Sequence, residues 1–140
     1  MRSVSRRAAG SLVVSVALSM TVVGVALAAR TGGYAGKTAQ RQSVRFGISN
    51  GAVHGFSITI RDRCPDGHTL SVRATYPTMK ISNAKFGGAF APVGGHPGEH
   101  ASLHGKLGRR AVTGSLSDTS FSNREGALCH GSTTFTAHHT

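Results

Sequence analysis

Ser43–Cys64, SVRFGISNGAVHGFSITIRDRC, is the stretch that decides the fold. Val44, Phe46 and Ile48 alternate with polar or small residues, Asn50-Gly51 follows, and Phe56, Ile58 and Ile60 alternate again until the chain reaches Cys64. Period-two apolar spacing is what a sheet with one buried face needs. Asn-Gly tolerates the positive φ required at both centres of a type I′ turn, so the stretch predicts a β-hairpin. Val53 has the opposite parity to Phe56, so one residue has to be absorbed between them, and Gly55 is where a bulge costs least.

The same period continues on both sides. Before the hairpin, Ala29–Gln42 is Gly-rich and polar, which predicts a flexible start and a short edge strand near Tyr34 to Gln40. After it, Pro65-Asp66-Gly67-His68 is a turn by composition, and Leu70, Val72, Ala74 and Tyr76 alternate until Pro77. Ile81 and Lys85–Phe90 carry the next strand or pair, with Gly87-Gly88 marking a kink or a close crossing of backbones. Ala91–Ala101 holds three Gly and two of the Pro and predicts the longest loop. Leu103, Gly105 and Leu107, then Val112, Gly114 and Leu116, predict a second hairpin with glycines facing inward. Ser117–Gly126 reads as a polar connection, and Cys129 to Ala137 as the last strand. The fold class is therefore all-β, an antiparallel meander of seven or eight strands forming a small barrel or, alternatively, a two-sheet sandwich.

Arg2, Arg6 and Arg7 precede an uncharged apolar run from Ser11 to Leu27, and Ala26-Leu27-Ala28 has the small-x-small pattern that signal peptidase accepts. Residues 1–28 are thus expected to be a signal peptide, residues 29–42 the flexible start and edge strand, and residues 43–140 the β-domain. The alternative for the first segment is an uncleaved membrane anchor, for which the run is at the short limit. The destination is secreted or associated with the cell envelope. Cys64 and Cys129 are the only cysteines, and in an exported chain they imply one disulfide. Closing a loop on the order of 65 residues constrains the unfolded chain by roughly 4 kcal/mol, against a usual domain stability of about 5–15 kcal/mol.

The order of these pieces resembles a group of small exported β-proteins of actinobacterial type. The matching features are Tyr34-x-Gly36-Lys37-Thr38, the hairpin running into Cys64 and a Gly turn, and Lys85-Phe86-x-Gly88-x-Phe90. Gly105-x-Leu107 with Gly114-x-Leu116, Cys129-x-Gly131 and Phe135-Thr136-Ala137 complete them. The resemblance covers nearly all of the chain beyond the signal segment and implies the fold and export. The group has no assigned activity, so no functional residue is carried over, and the His-rich loop around His96 is outside its pattern.

The formal charge of +11 falls to about +8 when the signal segment is removed with its three arginines. Such a balance favours an anionic envelope polymer or lipid surface as partner. Arg61, Arg63 and Arg73 alternate opposite the apolar residues of their strands and should share an outer face, and Arg41, Arg45, Arg109 and Arg110 add to the basic surface. Specific nucleic-acid binding is not expected: there is no Trp, there are two Tyr, and the phenylalanines are needed for the core.

The catalytic look-alikes fail on context. Gly47-Ile48-Ser49-Asn50-Gly51 matches a nucleophile elbow, but it joins two strands with no helix behind it. Gly36-Lys37-Thr38 lacks the first glycine of a phosphate loop, since Thr31 stands there. Most of the five acids lie in turns or between arginines, as Asp62 does between Arg61 and Arg63, a placement that suits turn chemistry and surface pairing rather than acid catalysis. The expectation is a non-catalytic domain without a cofactor.

Histidine is the one enrichment. His96, Glu99, His100 and His104 form a candidate site for Zn, Cu or Ni. Residues four apart on a strand lie about 13 Å apart, so only a folded loop could gather them. A His-loop metal binder is one alternative function, and a small-molecule carrier or enzyme inhibitor is another. A hollow barrel would favour the carrier and a filled one would disfavour it.

Overall fold

The computed structural model describes residues 30–140, and the proposed signal segment lies outside the described residues. Nine strands follow in order: β1 Gly32–Thr38, β2 Ser43–Ser49, β3 Ala52–Arg63, β4 Thr69–Thr75 and β5 Met79–Lys80, then β6 Lys85–Phe90, β7 His100–Leu107, β8 Val112–Ser122 and β9 Ala127–His139. They form one antiparallel sheet in the order β4-β3-β2-β1-β9-β8-β7-β6, with β5 beside β3. The all-β reading holds, with one strand more than the upper expectation.

The β2–β3 hairpin turns at Asn50 and Gly51, whose φ values of 50° and 68° are those of a type I′ turn. The register shifts between Arg45↔Ser57 and Gly47↔His54, and Gly55, at φ 58°, occupies the bulge that the parity change demands. Gly87 has φ 133°, and a Cβ there would lie 1.9 Å from the Leu103 carbonyl oxygen, the close crossing that Gly87-Gly88 predicts.

Two boundaries differ from expectation. β1 is not an edge strand: β2 pairs on one side and β9 on the other, so residues 32–38 belong to the ring. Gly36 makes this possible, because its partner Ala137 and the Thr136 carbonyl occupy the space a Cβ would need. The segment read as a polar connection after Leu116 continues β8 through Ser122, paired with β9 residue for residue down to Ala127.

Past Thr38 the chain leaves the sheet through a tight turn at Arg41, φ 61°. β3 and β9 then meet directly, through the pair Arg63↔His130 and the Cys64–Cys129 disulfide. Gln40 caps the junction, donating from Nε2 to the Arg61 carbonyl and accepting the Arg61 N–H. The ring closes on this side only. β4 and β6, the two ends of the sheet, stay unpaired with each other and leave a seam.

The middle of the ring is filled. Phe56 is fully buried and touches Phe46, Phe86, Phe135 and Tyr76, with ring centroids 5.2–6.1 Å apart. Burial of each such side chain stabilises the fold by about 1.5–3 kcal/mol. The inward glycines make room for these rings: Gly105 and Gly114 face each other across β7 and β8, and a Cβ at either would enter Phe86 or Phe135. The aromatic chain runs on from Tyr76 to Phe90, 5.0 Å apart, and so leads to the seam.

Candidate functional site

The seam between β4, the end of β6, the start of β7 and the last third of β8 holds an open cavity of about 560 Å³. Val72, Ala74, Tyr76, Phe90 and Pro92 wall it on the apolar side, and Asp118, Thr119 and Ser120 on the polar side. Its size is in the range of small-molecule sites.

Beneath it lies a carboxyl pair. Asp62 continues the inward parity of Phe56, Ile58 and Ile60 and is completely buried, and Asp118 continues that of Leu116 and is 7% exposed. The expectation of surface pairing for Asp62 is therefore corrected: its neighbours Arg61 and Arg63 point outward while it points in. β9 brings the two acids together. Gly131 is the cross-strand partner of Asp118, and β3 packs so closely on it that Asp62 reaches past its bare Cα.

Both carboxylates are acceptors, so they bind each other only when one carries a proton. Ser120 donates its single hydroxyl proton to Asp118, and neither oxygen of Asp62 finds a donor in the protein. Burial first, and the Asp118 carboxyl second, raise the pKa of Asp62 to about 8, with the nearby Ser120 acting weakly in the other direction. The Tyr76 hydroxyl is also buried without a partner, and burial followed by the charges of Asp118 and Asp62 pushes its pKa well up.

The four proposed metal ligands are not gathered. The Phe121 and His96 amides donate to the two oxygens of Glu99, each at 2.8 Å, and these bonds, the Phe121 amide foremost, hold its carboxyl below the usual range. The His96 ring packs against Phe121. His100 Nδ1 is 2.8 Å from the Gly98 carbonyl, and His104 Nε2 is 3.2 Å from Ser102 Oγ. Glu99 thus pins the loop to β8. Among the described residues the trio outside the disulfide whose ligand atoms come within 4.8 Å of one another is instead Asp66, His68 and Glu125. Its members already satisfy one another: His68 pairs with both acids, and the two neighbouring carboxyls act on each other so that the pKa of Asp66 is lowered and that of Glu125 raised.

The basic residues fall into two groups. Arg61, Arg63 and Arg73 are exposed on one outer face of β3 and β4, as their parity requires, and Arg45 joins them across Ser57. Ser43, Arg45, Ser57 and Arg73 line a shallow groove of about 290 Å³, where Arg73 Nε donates to Ser57 Oγ. Arg109 and Arg110 sit apart, in a second cleft with Arg30, His138 and His139 at the other end of β9. Among the described residues no Lys or Arg forms an ion pair with a carboxylate; both ion pairs present are made by His68.

Comparison of the chain with protein families, with curated proteins and with solved structures finds no match. No helix among the described residues is long and apolar enough to cross a membrane.

Proposed function

We propose that this chain is an exported, non-catalytic β-domain that associates with anionic cell-envelope material through the outer face carrying Arg45, Arg61, Arg63 and Arg73. The observation that carries this reading is the absence of any carboxylate partner for the Lys and Arg among the described residues. Two of the five acids in the chain are turned into the core, so the outer surface is more cationic than the composition suggests. A cation near an anionic surface contributes about 1 kcal/mol, so four on one face suffice for reversible attachment. Export is supported by the charged, apolar and small-residue order of residues 1–28 and by the disulfide.

Co-sedimentation tests it, with vesicles rich in phosphatidylglycerol in one arm and a phosphate-bearing wall polymer in the other. Binding should fall steeply as salt rises and should be lost when Arg45, Arg61, Arg63 and Arg73 are changed together to Gln, while Arg109→Gln/Arg110→Gln retains most of it. Absence of binding to both materials at low salt overturns the reading.

A further inference from the structure

We propose that the seam cavity binds a small organic ammonium ion, its nitrogen held between Asp118 and the Tyr76 hydroxyl and its hydrocarbon body lying against Val72, Ala74 and Phe90. This is separate from attachment through the basic face and does not depend on it.

Three observations converge. Asp118 lines the cavity and interacts with the fully buried Asp62, and no Lys or Arg pairs with either acid. Asp118 is 7% exposed and accepts a side-chain hydrogen bond from Ser120 alone, and a buried carboxylate without a counter-ion is costly until a cation arrives. The second observation is Tyr76, 8% exposed, which lines the same cavity and whose hydroxyl oxygen is buried without a partner in the protein. A primary ammonium supplies what both lack, because it donates three hydrogen bonds, to carboxylate and phenol oxygens alike. Third, the side formed by Val72, Ala74, Phe90 and Pro92 is apolar, with Tyr76 and Phe90 edge to face, and Val93 stands fully exposed at the rim. That lining suits a compact hydrocarbon and gives a hydrated metal ion little to bind. The other ionisable groups at the rim are committed or point outward: Glu99 to two amides, His100 to Gly98, and Arg73 to Ser57.

The test uses the oxidised chain from residue 29 onward, with benzylamine, benzyl alcohol and benzoate as probes of nearly equal shape, followed by amide chemical shifts at pH 7. Benzylamine should bind at least about tenfold more tightly than benzyl alcohol, with benzoate weakest, because a hydrogen bond between charged groups is worth that factor. The shifted amides should be those of Tyr76, Ala91, Thr119 and Ser120. Asp118→Asn should abolish the preference for amine over alcohol while leaving alcohol binding unchanged, and Tyr76→Phe should weaken the amine several-fold. If Asp118→Asn does not fold, the probe ranking and shift map of the unsubstituted protein decide. Equal binding of amine and alcohol, a preference for benzoate, shifts confined to the Arg109–Arg110 cleft, or a tighter response to Zn²⁺ or Ca²⁺ than to benzylamine overturns the proposal.

Discussion

Asp62 on β3 and Gly131 on β9 occupy one space: a Cβ added to Gly131 would lie 2.2 Å from Asp62 Oδ1 and 2.8 Å from the Arg61 carbonyl. Gly131→Ala must displace β3 or the carboxyl pair, and we expect a loss of about 1–3 kcal/mol, read from the urea midpoint. In an Asp62→Ala background the loss should shrink without vanishing, since the backbone contact remains. An unchanged midpoint would show that β3 and β9 are not packed this closely.

The raised pKa of Asp62 makes stability depend on pH. Between the ordinary value of 3.8 and about 8 the folded protein holds a proton that the unfolded chain has released. Stability therefore falls as pH rises through this window, the reverse of the usual acid-denaturation trend. Urea titrations at pH 5, 7 and 9 should show declining stability, and Asp62→Asn should remove most of the slope. The lowered pKa of exposed Asp66 acts only below pH 4, where its small contribution is lost as pH falls.

The disulfide joins residues 65 apart, at the one place where β3 and β9 pair directly. Reduction, or Cys64→Ser/Cys129→Ser, should cost about 4 kcal/mol by the loop-entropy argument. Hydrogen exchange should rise first at Arg63, Cys64, Cys129 and His130. A loss spread evenly over the sheet would mean that the strands hold the junction without the bond.

Gly105→Ala places a methyl group 2.1 Å from the Phe86 ring. A cost of about 1–3 kcal/mol is expected in the thermal or urea transition, with partial recovery in Gly105→Ala/Phe86→Leu. No recovery would locate the strain in the backbone instead.

Glu99 gives both oxygens to amides, so the His-rich loop should bind Zn²⁺, Cu²⁺ and Ni²⁺ no better than about millimolar, below the range of built transition-metal sites. Isothermal titration of the unsubstituted chain and of His96→Ala/His100→Ala should agree. Tighter binding that disappears in the double variant would restore the metal reading.

The hairpin turn, the bulge at Gly55, the inward glycines and the outward Arg61, Arg63 and Arg73 were all legible, because each depends on neighbours a few residues away. The candidate site was less so. Asp62 lies on the inward parity of Phe56, Ile58 and Ile60, and that signal was present, but the flanking arginines suggested a surface charge. Asp118 lay in a stretch whose Ser and Thr content hid the continuation of β8, which is held by its eleven-residue register with β9 rather than by apolar alternation. The metal quartet is not gathered for the opposite reason: its histidines cluster in sequence, but two backbone amides hold Glu99.

Alternation and turn chemistry alone determined that the chain forms antiparallel strands with one apolar and one cationic face, because the two-residue repeat of a strand writes each face directly into the order of residues. Only the tertiary structure decided that β1 lies inside the ring, that β3 crosses to β9, and that β4 and β6 stay apart over a cavity. The first two outcomes rest on the close approach allowed by Gly36 and Gly131, which sets two distant carboxyls beside each other and which no local pattern encodes.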